Sequence, residues 1–283
     1  MAILKPYKGG YYLWNYIPSV PAAIVFIVLF FLATAGHSFR MFSTRTWFCI
    51  PFVLGCLLEA LGYIARRNAV NKTDNIALYI QQSCFILIAP ALFAASIYMT
   101  LGRTIRTVKG EAYSVIRVNW LTKIFVIGDI FSFLIQGGGA GMMANSKSVK
   151  LGEDIVLAGL GLQLVSFGIF FISAVIFETR MNQNPTPESF ATRAPWKQTL
   201  RMLYIVSILI LIRSAFRIVE YVQGHDGYSL KHEWTLYAFD SAPMFIVTAV
   251  FFVWFPSRLK QKPMKDDESS GDVPLSVRAT ETS

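Results

Sequence analysis

Seven apolar blocks constrain what this chain of 283 residues can fold into. Each block is long enough to cross a bilayer as a helix, which takes about 20 mostly apolar residues. The sequence therefore predicts an all-α polytopic membrane protein with seven transmembrane helices, called spans 1 to 7 here. Their predicted bounds are about 17–36, 46–65, 76–100, 121–143, 155–177, 200–222 and 235–255.

The composition argues against a soluble protein. Hydrophobic residues make up 54% of the chain and charged residues 15%, whereas soluble domains carry about 25% charged residues. The lysines and arginines behind the net charge of +9 lie mainly between the apolar blocks, which indicates a membrane with basic loops. We therefore expect no nucleic-acid partner. The three cysteines all lie within spans and predict neither a disulfide framework nor a metal site.

The chain divides into three predicted parts. Residues 1–16 form an outer N-terminal segment, residues 17–255 the membrane domain, and residues 256–283 a disordered cytosolic tail with too few apolar residues to fold alone. The start of the chain lacks the pattern of a cleaved signal peptide, so span 1 is expected to be retained.

The distribution of basic residues predicts the orientation. Eight lysines and arginines lie on the side of the N-terminus and sixteen on the other side. By the positive-inside rule the N-terminus is then outside or lumenal and the C-terminus cytosolic. The sequon Asn71-Lys72-Thr73 falls on the predicted outer side, so Asn71 is a candidate for N-glycosylation.

Ionisable side chains within the spans call for a structural or functional explanation. Inserting one charged side chain at the centre of a membrane helix costs about 2.5–3.5 kcal/mol. Glutamines within the spans accompany the ionisable side chains. Arg213, Arg217 and Glu220 stand at i, i+4 and i+7 on one face of span 6. We expect these groups to face the interior of the bundle and to form a substrate-binding site. The candidate residues are Glu59, Gln82, Asp129, Gln136, Gln163, Arg213, Arg217, Glu220 and Asp240.

Most of these candidates fall at one depth. At about 1.5 Å per residue, six of them lie roughly 7–12 Å below the predicted outer edge. Arg213 lies near the midplane, Asp129 closer to the cytosol, and Glu220 near the outer interface. The six are Glu59, Gln82, Gln136, Gln163, Arg217 and Asp240. The pattern predicts a polar cavity in the outer half of the membrane.

The charge count suggests what such a cavity binds. Four carboxylates share the spans with two guanidiniums, so two acids lack an internal partner. An amphipathic lipid amine would supply the missing cation, with its ammonium on Glu59 or Asp240 and its chain in the lipid. The alternative is a purely structural network in which Arg217 binds Asp240 or Glu59 and the glutamines bind one another.

Enzyme and cofactor motifs are missing from the sequence. It contains no phosphate-binding glycine loop, no metal-ligand spacing and no recognisable catalytic set, so we expect neither catalysis nor a cofactor. Prolines within spans 2, 3 and 7, among them Pro90 and Pro243, are candidate sites of helix distortion beside the cavity. The sequence does not indicate an oligomeric state.

Short polar motifs recur in a fixed order across the spans. The main motifs are Tyr16-Ile17-Pro18-Ser19, Glu59-x-x-Gly62-Tyr63-x-x-Arg66, Ala89-Pro90-Ala91, Asp129-x-x-Ser132, Gln136-Gly137-Gly138-Gly139, Gly159-x-Gly161-x-Gln163 and Arg213-x-x-Phe216-Arg217-x-x-Glu220. Further motif residues include Tyr98, Glu233, Tyr237 and Asp240. In this order the motifs resemble the fungal lipid-translocating exporter family, also called RTA-like.

The resemblance implies a multi-pass protein of the plasma membrane or of internal membranes, linked to lipid export and stress resistance. The family includes a sphingoid long-chain-base exporter. We therefore expect a transporter of amphipathic lipids, with sphingoid long-chain bases or similar lipid amines as the leading substrates. A seven-helix receptor that binds its lipid without moving it is the alternative.

Overall fold

The computed structural model describes residues 14, 16–143, 149–191, 195–224 and 227–256, and its described part confirms the all-helical class and the seven spans. Most of the predicted N-terminal segment and tail lie outside these residues. The orientation across the membrane stays a prediction. The spans are Val20–Thr44, Trp47–Ala69, Ile76–Thr107, Val118–Met143, Lys150–Gln183, Trp196–Val222 and Glu233–Val253.

Several helices continue beyond the apolar blocks that predicted them. Span 1 runs to Thr44 and span 3 to Thr107, about two turns past the predicted ends. Hydropathy reports only the segment in contact with hydrocarbon, whereas a helix ends where its backbone geometry changes. Arg45, the residue after span 1, has a left-handed backbone with φ of 52°, and Lys109 just after span 3 has φ of 48°.

The predicted loop between spans 5 and 6 also contains helix. Span 5 extends to Gln183 and a short helix, Pro187–Ala191, follows it. Another short helix, Tyr228–Lys231, precedes span 7. Span 7 itself is composite, with a helical turn at Glu233–Leu236, a π-helical turn at Tyr237–Ser241 and an α-helix at Ala242–Val253.

The spans pack in chain order, and span 7 returns to span 1 to close the bundle. Span 3 also contacts span 6 across the interior. We call the end where span 1 begins the N-terminal face and the opposite end the C-terminal face. Large apolar side chains remain exposed at helical spacing, as on span 4 at Ile124, Ile127, Phe131 and Leu134. Such a surface suits contact with lipid chains.

Glycines allow close contact at two pairs of neighbouring spans. A Cβ atom on Gly62 of span 2 would lie 2.7 Å from the Ile86 side chain of span 3, and Gly55 is similarly close to Phe93. A Cβ atom on Gly139 of span 4 would lie 2.7 Å from the backbone oxygen of Gly152 in span 5. Small residues at these positions let helix backbones approach closely, as is typical of membrane bundles.

We predict that Gly139→Ala destabilises the protein by about 1–3 kcal/mol, because the added methyl group meets backbone atoms that cannot move aside. Thermal unfolding in detergent measures the effect. Gly138→Ala is the matched control, since no described atom lies within 4 Å of a Cβ atom placed there. Equal melting temperatures for the two variants would contradict the packing of spans 4 and 5.

Candidate functional site

Asp240 in span 7 is bound by two arginines of span 6. Its Oδ1 pairs with Nε of Arg213, and its Oδ2 lies 2.8 Å from Nη2 of Arg217. Arg217 also donates through Nη1 to Oε2 of Glu220 at 2.8 Å. The Asp240 side chain is 1% exposed and that of Arg213 6%. We call these four residues the ion network, and their formal charges cancel.

The π-helical turn places Asp240 in this network. The N–H of Ala242 donates to the carbonyl of Tyr237, five residues earlier. Pro243 follows immediately, at the start of the next α-helical segment, and has no backbone N–H to donate to the preceding turn. Isolated π-helical turns are frequent at functional sites because they redirect side chains within a helix.

Arg213 makes a further contact that joins the ion network to span 3. Its Nη2 donates to the backbone carbonyl of Ile86 at 2.8 Å. That carbonyl would normally accept from the N–H four residues later, but the residue there is Pro90, which has none. Arg213 therefore replaces the hydrogen bond that Pro90 removes from span 3.

Glu59 of span 2 lies beside the ion network without joining it. It is 1% exposed, and neither carboxylate oxygen has a hydrogen-bond partner among the described residues. Arg213, Asp240 and Arg217 act on it electrostatically but make no ion pair with it among the contacts of the described residues. Among the described residues, Glu59 is thus a buried acid without an ion-pair partner.

The hydroxyl of Tyr63, one turn from Glu59, is hydrogen-bonded to that of Ser241. This contact holds span 2 against the π-helical turn of span 7. The flanking Gly55 and Gly62 bring the Glu59 face of span 2 against residues 86–93 of span 3. Glu59 therefore faces the meeting point of spans 2, 3, 6 and 7.

The remaining candidates form separate groups. Nε2 of Gln136 donates to Oε1 of Gln163 at 3.2 Å, which joins spans 4 and 5. Asp129 accepts a hydrogen bond from the Tyr98 hydroxyl at 2.9 Å. Gln82 is buried, and its Oε1 has no hydrogen-bond partner among the described residues. Among those residues, no hydrogen bond links these groups to the ion network.

A polar cluster that sequence reasoning left out of the site lies at the N-terminal face. Arg66 contacts Glu233 at 2.7 Å, the Tyr16 hydroxyl at 2.9 Å and the Tyr237 hydroxyl at 3.2 Å. Glu233 also accepts from the backbone N–H of Ser19, which immediately precedes span 1. We call these residues the Arg66 cluster, and it closes the bundle where spans 1, 2 and 7 meet.

Other missed partners carry weaker sequence signals. Tyr98, Arg66, Glu233 and Tyr237 stand in the segments that carry the family resemblance, but nothing in their local spacing shows which residue each contacts. Asn71 is exposed in the turn between spans 2 and 3, while Thr73 of the same sequon is buried. Glycosylation of Asn71 stays a prediction.

The geometry defines a class: a multi-pass membrane protein with a charge-balanced ion network and an unpaired acid buried beside it. The family described as "RTA1 like protein" matches residues 52–263 of the chain. The chain therefore belongs to the RTA1-like family, as the sequence motifs predicted.

Relatives in Saccharomyces cerevisiae cover most of the chain. Protein RTA1 is 37% identical over 276 residues, covering 88% of this chain and 86% of the relative. Protoporphyrin uptake protein 1 is 34% identical, covering 87% and 92%. Sphingoid long-chain base transporter RSB1 is 24% identical, covering 85% and 72%. No solved structure matches the chain.

We predict that Arg213→Met destabilises the protein less when Pro90 is replaced by alanine. The alanine would restore the backbone N–H that the Ile86 carbonyl lacks, so the loss of Arg213 would no longer leave that carbonyl unsatisfied. The loss should then be smaller by about 1–3 kcal/mol, the cost of an unsatisfied buried acceptor. Thermal unfolding of the wild type, both single variants and the double variant measures this coupling. Equal losses in the two backgrounds would show that Arg213 does not compensate for Pro90.

Proposed function

We propose that this protein moves amphipathic lipids that carry an amine across a membrane, with sphingoid long-chain bases as the leading substrates. The observation that carries the proposal is Glu59, a fully buried carboxylate that accepts no hydrogen bond from any described residue. A buried charge is tolerated only when it is neutralised. A ligand ammonium would neutralise Glu59 and supply up to three hydrogen-bond donors.

The ion network explains why Glu59 can receive a ligand. Arg213 and Arg217 are already occupied by Asp240 and Glu220, so neither is free to pair with Glu59. Both oxygens of Asp240 are bound as well. The head-group role that the sequence offered to Glu59 or Asp240 therefore falls to Glu59 in this proposal. Asp240 holds the arginines in place.

The surroundings of Glu59 suit a lipid tail. Phe93 and Ile86 of span 3 pack against the same face of span 2, one turn to either side of Glu59. Phe52 and Ala60 of span 2 belong to the same buried apolar core. A long-chain base presents the matching pattern, with one cationic end and one apolar chain.

The names of the relatives point to different ligands. One relative is named for transport of a sphingoid base and another for uptake of protoporphyrin. A sphingoid base is cationic, whereas the propionate groups of a porphyrin are anionic. The unpaired acid favours the cation, because an anion beside Glu59 would add repulsion at low dielectric. We place this activity at the plasma membrane, with internal membranes as the alternative.

We predict that Glu59→Gln abolishes movement of a fluorescent long-chain base in proteoliposomes without lowering the melting temperature. Glutamine keeps the size of the side chain and removes a charge that forms no hydrogen bond or ion pair with a described residue. Transport should fall to the level of protein-free vesicles. Equilibrium binding of the same lipid should fall with it.

Two further variants serve as comparisons for Glu59→Gln. Asp154→Asn changes an exposed acid of span 5 and should leave transport unchanged. Asp240→Asn should lower the melting temperature, because it leaves two buried arginines without their shared carboxylate. Wild-type transport by Glu59→Gln would overturn the head-group role. If the wild-type protein binds the lipid but does not move it, the receptor alternative is indicated. If the wild-type protein selectively moves porphyrin, the proposal that its substrate is a lipid amine is overturned.

A further inference from the structure

A second buried acid lies deeper in the bundle, and the ligand proposed above does not account for it. Asp129 of span 4 is 3% exposed. Its Oδ2 accepts from Tyr98 of span 3, while its Oδ1 has no hydrogen-bond partner among the described residues. No described lysine or arginine forms an ion pair with it.

Uncharged groups surround this acid on each element that packs against span 4. Span 3 presents the Tyr98 hydroxyl, which is the ionisable group that acts on Asp129. Span 5 presents Ser166, whose hydroxyl lies opposite Gly128. Span 4 itself contributes Ser132, which donates to the Gly128 carbonyl. Tyr98 packs in turn against three phenylalanine rings, Phe125, Phe167 and Phe170.

These uncharged surroundings limit what can neutralise Asp129. Three phenylalanine rings pack against its hydrogen-bond partner Tyr98, and no described lysine or arginine pairs with Asp129. A proton on the carboxylate neutralises the acid without a basic side chain. Tyr98 holds one oxygen as a donor, and the other oxygen is left to carry a hydrogen.

Glu59 and Asp129 lie at different heights. Glu59 stands opposite the stretch of span 3 between Ile86 and Phe93, and Asp129 contacts Tyr98 of the same span. About nine residues of helix separate the middle of that stretch from Tyr98, which corresponds to about 13 Å along the bundle. The two acids are therefore distinct sites.

We propose that Asp129 is a proton-binding site and that the protein exchanges protons for lipid ammonium ions. This inference rests on the proposed function of Glu59. When the ammonium leaves Glu59 into one aqueous phase, a proton from the water of that same phase forms an O–H bond at Oδ1 of Asp129. When the next ammonium binds from the other aqueous phase, that O–H bond breaks and the proton is released to the water of that other phase. One positive charge replaces another, so the bundle never holds two uncompensated carboxylates.

The test uses full-length protein in vesicles that contain a pH-sensitive dye. The lipid probe is a sphingoid base with a trimethylated nitrogen, which keeps its charge and cannot carry a proton through the bilayer. In the wild type, movement of this lipid should change the internal pH, and an imposed pH gradient should accelerate the movement. Asp129→Asn should lose both effects and also the pH dependence of probe binding, while it still binds the probe.

The outcomes separate the two proposals. Glu59→Gln should lose binding as well as proton movement, whereas the exposed-site control Asp154→Asn should behave as the wild type. If the rate at which the wild type moves the lipid does not depend on the pH gradient, the proposed exchange of protons for lipid is overturned and the proposed function stands. If the wild type moves no lipid, both fail.

An infrared measurement tests the proton site without transport. pH-difference spectra of the detergent-solubilised wild type should contain the carbonyl stretch of a buried carboxyl group that gains and loses a proton. Asp129→Asn should remove that band, and Tyr98→Phe should shift it, because the phenol no longer donates to the carboxylate. A band unchanged in Asp129→Asn would overturn the assignment of the proton to this residue.

Discussion

The shared carboxylate of Asp240 is the interaction on which the interior of this bundle depends. Arginines in hydrocarbon must find their counter-ion within the protein, because no water is available to solvate them. Each Asp240 oxygen binds one arginine of span 6, so spans 6 and 7 are held in one register. Arg213 extends the constraint to span 3 through the carbonyl of Ile86.

The pairing of charged residues also identifies the functional candidates. Arg213 and Arg217 are balanced by Asp240 and Glu220. This ion network is neutral, so its presence in the bundle requires no ligand. Glu59 and Asp129 remain outside it, as the excess of acids over arginines in the sequence implied. Their separation in height gives them different surroundings. One faces the junction of four spans, and the other lies among aromatic rings beside a tyrosine.

The sequence predicted the number of spans because the thickness of a bilayer leaves a local signal in each helix. It also predicted the pairing of Arg217 with Asp240 as one option, since the charges lay at matching depth. It could not predict the separation of Gln136 and Gln163 from the ion network. Depth along a helix says nothing of lateral position, which depends on how glycines such as Gly139 let particular helices approach.

Two backbone interruptions meet at a single side chain. Pro90 frees a carbonyl in span 3, and the π-helical turn before Pro243 positions Asp240 in span 7. Arg213 contacts Asp240 through Nε and the Ile86 carbonyl through Nη2, so a displacement of its guanidinium would affect both contacts. A cation arriving at Glu59 would repel this arginine at low dielectric. Binding energy at the acid could thereby act on the least regular parts of two helices, where a backbone bends at the lowest cost.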